Sequence, residues 1–314
     1  MKKFILYLLF AQFSFACNNS HATNPILQPE RELLGSTNNL KLKEISGMAI
    51  SRKYDGIIWV HNDSGDDAHF FAINYKGEIV AECIMKNATN IDWEDIAIGP
   101  GPVDGTDYIY IADTGDNLLI RNDYAVYRIA EPVIDPLKLD QKIILSNFDK
   151  IELSYPDISH DCETIFIEPS SKNLFFITKR DSFALAYRLN NPPIEDAINT
   201  LELIGTMQIG KARTKRETSR ICGGDMSADG KNLIIKSYDS VYYFSIDNDL
   251  KEVLIKKPST LYYVAEAQGE AIAFDKESKF YFSISEAGPL NVDQGVFRYN
   301  FIKPFVPKIE DEVK

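Results

Sequence analysis

An all-β fold, a β-propeller of four-stranded antiparallel blades, is what this 314-residue sequence predicts. Three observations predict it. A unit of short alternating apolar segments that opens on acids and closes on a tight Asp/Gly turn recurs five times. Its clearest copy runs from Asp92-Trp93-Glu94-Asp95-Ile96-Ala97-Ile98 through Tyr108 to Ala112 and stops at Asp113-Thr114-Gly115-Asp116. No long helical period is needed anywhere. The last copy lacks a fourth strand, while the segment ahead of the first copy holds a strand without a place, so an amino-terminal strand closing the last blade explains both.

The elements follow in order. Met1-Lys2-Lys3 and the apolar run from Phe4 to Phe15 read as a bacterial-type export leader, shorter than the roughly 20 apolar residues a membrane span needs. Cleavage after Ala22 gives an ordinary leader over 1–22. Ser14-Phe15-Ala16-Cys17 also resembles a lipoprotein box, which would end the leader at 16 and place a lipid anchor on Cys17. Residues 23–43 are the lead-in and closing strand, with strand character near 32–34 or 40–43; residues 44–305 are the propeller and 306–314 a polar tail. The chain is expected outside the cytoplasm, periplasmic or extracellular.

Each repeat reads as four strands. The first uses 46–50, 57–60, 70–74 and 78–84; the second adds outer strands at 125–129 and 150–154; the third uses 163–167, 174–178, 186–189 and 201–207. The fourth continues from Gly224-Asp225 through 232–236, 241–246 and 252–255, and the fifth uses 270–274, 280–283 and 296–301. Five blades are counted. The stretches 135–158 and 191–220 are long enough to hold a sixth.

Acidic residues outnumber basic ones 46 to 34, for a formal charge of −12, which becomes −14 once Lys2 and Lys3 leave with the leader. That balance excludes nucleic acid and anionic membrane as main partners and leaves a monomer with a small ligand as the expectation. Beyond Cys17 there are three cysteines, an odd number without CxxC spacing, so neither a disulfide framework nor zinc is indicated. Cys162 and Cys222 hold similar places in consecutive repeats. Innermost strands splay too far for an easy bridge, and buried thiols are expected.

In a propeller the first strand of each blade lines the central channel, and the turn leaving the second strand returns to the same mouth. Superposing the repeats aligns Ser46, Glu94, Glu163, Gly224 and Glu270, followed by Gly47, Asp95, Thr164, Asp225 and Ala271; second-strand ends add Asp63, Asp113, Asp181, Asp239 and Glu286. Carboxylates gathered this way repel unless a cation sits among them. Glu94, Asp95, Glu163, Asp225 and Glu270, with Asp63 and Asp113, are therefore candidate ligands for Ca²⁺ or another hard divalent cation. The alternative is that these acids bond turn amides and knit blades together. Lys179, Arg180 and Arg216 are candidates for holding an anionic substrate group, and His61, His160 and Glu163 for moving protons. Asp63-Ser64-Gly65 and Asp113-Thr114-Gly115 look like aspartic-protease signatures. Each Gly is followed by Asp where those enzymes carry a hydroxyl residue, so both read as turns of the repeat.

Ser46-Gly47-Met48-Ala49-Ile50 with Asn62-Asp63-Ser64-Gly65, then Glu94-Asp95-Ile96-Ala97 and Gly269-Glu270-Ala271-Ile272-Ala273, resemble the pattern of exported bacterial phytase-like propellers, also called esterase-like. The chain is similar, more distantly, to calcium-dependent lactonase and gluconolactonase propellers, in which first-strand glutamates hold the metal. That resemblance implies the role for Glu94, Glu163 and Glu270 by position, with Ser46 and Gly224 as departures. It implies a metal-assisted hydrolase of phosphate esters or lactones. A non-catalytic exported binding propeller and a structural envelope propeller are the alternatives, since propellers host many functions.

Overall fold

The computed structural model describes residues 30–179, 183–209, 220–247, 249–287 and 294–304. Its first strand, β1 (Arg31–Thr37), belongs to the last blade. Blade 1 is β2 (Ile45–Ile50), β3 (Ile57–Asn62), β4 (His69–Asn74) and β5 (Ile79–Met85), and blade 2 opens with β6 (Trp93–Pro100), β7 (Asp107–Asp113) and β8 (Tyr124–Ala130). The chain then lays β9 (Gln141–Leu145) parallel to β5 as a fifth strand of blade 1, before β10 (Asp149–Ser154) pairs with β8. Blade 3 is β11 (Cys162–Ile167), β12 (Leu174–Thr178), β13 (Leu185–Leu189) and, after the two-residue β14 (Asn199–Thr200) pairs with β10, β15 (Glu202–Thr206). Blade 4 is β16 (Ile221–Met226), β17 (Asn232–Ser237), β18 (Val241–Ser245) and, past the short helix α1 (Leu250–Leu254), β19 (Ser259–Leu261). Blade 5 is β20 (Gly269–Phe274), β21 (Phe280–Ser285) and β22 (Gln294–Asn300), completed by β1 antiparallel to β22.

The protein is thus a five-bladed β-propeller closed by its amino-terminal strand. The burial gradient follows from the architecture: β2, β11, β16 and β20 are buried at every position, whereas the outer β9 alternates. Seams between blades are filled by large rings, as where Trp59 and Phe70 of blade 1 share a core with Trp93 and Tyr127 of blade 2. The inner strands approach so closely that a Cβ on Gly47 would lie 2.5 Å from His61 Nε2 and 2.9 Å from Asp95 Cα. Only glycine fits there.

Two expectations are corrected. Residues 252–255 are not the outer strand of the fourth repeat: Asp249 caps α1 by accepting from Lys251 N, Leu250, Val253 and Leu254 fall on one buried helical face, and β19 supplies the strand. The long stretches hold no sixth blade among the described residues; they supply β9 and β10, and β14 and β15. Cys83, Cys162 and Cys222 are buried free thiols, as expected. Among the described residues, no helix is long and apolar enough to cross a membrane.

Candidate functional site

Every blade begins with the same irregularity. The register between first and second strands slips at Ile45/Gly47, Trp93/Asp95, Cys162/Thr164, Ile221/Gly223 and Gly269/Ala271. A bulge leaves one residue out of the ladder and re-aims it. Those residues are Ser46, Glu94, Glu163, Cys222 and Glu270. The fourth repeat therefore contributes Cys222 to the shared position, and Gly224, aligned there from sequence, lies two residues deeper. The pairings Ile45 with Asn62, Trp93 with Asp113, Cys162 with Thr178, Ile221 with Ser237 and Gly269 with Ser285 likewise make Asp63, Thr114, Lys179, Tyr238 and Glu286 the equivalent residues past the second strands.

Glu94, Glu163 and Glu270 from the first set, with Asp63, Lys179, Tyr238 and Glu286 from the second, line a cavity of about 370 Å³ at the channel mouth. A larger cavity of about 700 Å³ lies at the rim of the ring, between β10 and residues 193–197. The acids that share a repeat position converge on the smaller one. Its chemistry is the more organised.

Inside the mouth the acids divide in two. Lys179 Nζ lies 2.7 Å from Glu163 Oε1 and 3.9 Å from Glu270 Oε1, and Tyr238 donates to Glu270 at 2.5 Å. Burial works to lower the Lys179 ammonium, but Glu163 and Glu270 outweigh it and hold the group above its ordinary range. Burial pushes the Glu163 carboxyl up to about 8, with Lys179 opposing. This half of the mouth carries its own cation.

The other half centres on Glu94, only 3% exposed. Among the described residues no hydrogen bond and no ion pair reaches its carboxylate. Burial, then the charges of Glu163 and Asp63, raise its carboxyl well above the ordinary range. Glu94 belongs to two trios, Asp63–Asp92–Glu94 and Glu94–Asp161–Glu163, in each of which the carboxylate oxygens lie within 4.8 Å of one another. Lys179 sits against the second trio. The first has no basic side chain at ion-pair distance among the described residues, and burial raises Asp63 to about 6 and Asp92 in the same direction. Gly115 lies beneath it, and any Cβ there would collide with Glu94 Oε1 and Asp92 Oδ2. Oxygen ligands alone, gathered over bare backbone, fit a hard cation such as Ca²⁺.

The remaining sequence candidates lie elsewhere. Asp95 accepts from Ile96 N at 2.8 Å and Ile165 N at 3.0 Å, tying blade 2 to blade 3, and Asp225 accepts from Phe274 N at 2.8 Å, tying blade 4 to blade 5. Asp113 pairs with Arg121 at 2.8 Å and accepts from the amides of Ile91 and Asp92. His61 is buried edge-on against Trp93, its Nδ1 2.9 Å from the Asn62 carbonyl, and burial lowers it to about 4. His160 is buried with Nε2 2.8 Å from the Tyr187 hydroxyl and 3.2 Å from Asp157. Neither imidazole lines the mouth. Arg180 and Arg216 lie outside the described residues. Asp92 and Asp161 were not singled out from sequence, although the spacing Asp92-Trp93-Glu94 and Asp161-Cys162-Glu163 repeats between consecutive blades.

No family model and no curated protein matches the chain. Similar solved structures include a luciferin-regenerating enzyme (11% identity over 88% of this chain and 96% of that one, TM-score 0.45) and a PQQ-bound aldose sugar dehydrogenase from Streptomyces coelicolor (8%, 87% and 98%, 0.46). A gluconolactonase from Xanthomonas campestris is similar at 11% identity over 82% of this chain and 71% of that one, TM-score 0.44. Likeness of this size assigns neither family nor activity.

Proposed function

We propose that the channel mouth is a divalent-cation site, Ca²⁺ or a similar hard ion held by Asp63, Asp92 and Glu94, and that it serves hydrolysis of a small phosphate ester or lactone by an exported protein. The observation that carries the reading is the Glu94 carboxylate, buried, shared by two trios and without a hydrogen-bond donor among the described residues. Burying an uncompensated carboxylate is costly, and a cation is the simplest compensation. Such an ion supplies Lewis-acid polarisation of a phosphoryl or carbonyl oxygen. Lys179 faces the same cavity and can hold an anionic or carbonyl oxygen there, while Glu163, raised by burial and positioned by Lys179, can take up or release a proton at its carboxylate oxygens.

A second reading, a non-catalytic binding propeller, draws support from the withdrawal of both histidines, whose imidazoles are bonded away from the mouth. One experiment separates the readings. Purified protein is assayed with and without Ca²⁺, Mg²⁺ or Mn²⁺ for melting temperature and for turnover of p-nitrophenyl phosphate, p-nitrophenyl acetate and δ-valerolactone. The hydrolase reading expects a metal-dependent rise in melting temperature and turnover that Glu94→Gln removes together. A melting rise without turnover supports the binding reading. No rise at millimolar metal overturns the cation site.

A further inference from the structure

Beside the acidic mouth the protein displays aliphatic surface that its own core does not use. Leu118 is 76% exposed, Ile120 74%, Ile158 67%, and Ile91 and Leu119 43% each. They come from three loops, and one residue gathers them. Arg121 donates to Asp113 Oδ1 at 2.8 Å and to the Gly115 carbonyl at 2.7 Å, and its own carbonyl accepts from Ser159 Oγ at 2.8 Å. Asp113 in turn accepts from Ile91 N at 3.3 Å. Asp116 accepts from the amides of Ile120 and Arg121 at 2.9 and 2.8 Å, so the tip bearing Leu118, Leu119 and Ile120 is held in one shape. Presenting aliphatic side chains to water on a well-bonded loop is unfavourable unless something covers them.

The patch adjoins the mouth directly. Asn117, next to Leu118, lines the cavity. Ile91 precedes Asp92, and Gly115 lies against Asp92 and Glu94. Resting on the cation-site reading above, we propose that the substrate carries an apolar arm, an alkyl or acyl chain, which lies across Ile91, Leu118, Leu119, Ile120 and Ile158 while its polar head enters the mouth. Two features favour a substrate arm over a bilayer as the occupant. Asn117, adjacent to Leu118 of the patch, lines the cavity, and the mouth and the chain are strongly acidic, which opposes approach to an anionic lipid surface.

Calorimetry with methylphosphonate and n-hexylphosphonate in the presence of Ca²⁺ tests this without requiring turnover. Roughly twofold tighter binding per methylene on a half-covered surface predicts about a 30-fold preference for the hexyl compound. The double variant Leu118→Ser/Ile120→Ser, altered only at exposed positions, should lose most of that preference and keep methylphosphonate affinity and the Ca²⁺-dependent melting rise. Equal affinities of the wild type for the two phosphonates, with the melting rise intact, overturn the apolar arm and leave the cation site standing. Binding to phosphatidylcholine vesicles that the double variant loses, with its hexyl preference unchanged, assigns the patch to a bilayer and also overturns the proposal. If Ca²⁺ gives no melting rise and neither phosphonate binds, both readings fall.

Discussion

Glu94 and Asp95 are neighbours in one strand, both buried and both acids, yet they belong to different regions: Glu94 to the mouth of the ring, Asp95 to the seam between blades. The Asp95 carboxylate accepts two backbone amides, Ile96 N and Ile165 N. The Glu94 carboxylate accepts none among the described residues. Burial and charge do not separate them. Donor supply does, and it follows from the bulge, which turns Glu94 out of the ladder into the channel and leaves Asp95 beside the first strand of the next blade. The sharpest test compares metal-free variants by urea denaturation. Asp95→Ala orphans two buried amides and should cost about 3 kcal/mol or more. Glu94→Gln removes an uncompensated buried charge, and its effect should stay within about 1 kcal/mol or be stabilising. Equal losses would erase the distinction between seam and mouth.

The two regions should also titrate differently. Burial raises seam Asp225 to about 7 and mouth Asp63 to about 6, from an ordinary value of 3.8. Between pH 4 and those values the unfolded chain has lost protons that the folded one keeps. Stability therefore falls as pH rises through this window, by up to about 4 kcal/mol for a group shifted as far as Asp225. Saturating Ca²⁺ should cancel the part due to its ligands Asp63, Asp92 and Glu94, since the cation replaces their protons, and leave the part due to Asp225, which Asp225→Asn removes. Melting curves at pH 4, 6 and 8 with and without Ca²⁺ read both; a fall with pH that Ca²⁺ abolishes entirely would place Asp225 at the mouth as well.

The ring was legible because its signal is repeated: five strand pairs, three of them led by a glutamate, and a missing strand at one end matched by a surplus at the other, which became β22 paired with β1. What sequence did not resolve was register. The bulges shift alignment by one or two residues, enough to exchange Asp113 for Thr114 and Gly224 for Cys222 at the shared repeat positions. Composition cannot distinguish an acid that finds an amide across a seam from one that does not. This is why Asp95, Asp113 and Asp225 look like ligands in the sequence, and why Asp92, which reads there as the opening of a repeat, and Asp161, each one residue ahead of the strand proper, do not. The fourth repeat failed locally for a different reason: Leu250, Val253 and Leu254 satisfy a helical period that a strand reading of 252–255 overlooks.

Within the mouth itself the same reasoning divides its two trios, and Lys179 is the dividing residue. Its ammonium, 2.7 Å from Glu163, already compensates one member of the Glu94–Asp161–Glu163 trio, so the wild type should bind one divalent ion, at Asp63–Asp92–Glu94. Lys179→Met keeps most of the side-chain volume and removes the charge. The second trio then lacks compensation, and the variant should be slightly less stable without metal but take up two ions per chain by metal analysis, with a larger Ca²⁺-dependent melting rise than the wild type. The effect is smaller than that of breaking a seam, because only the balance of charge changes and no backbone amide loses its partner. A stoichiometry of one in both proteins would mean that Lys179 does not stand in for a cation. A stoichiometry of two in the wild type would mean that the ammonium leaves Glu163 when metal arrives, and that the two halves of the mouth act as one site.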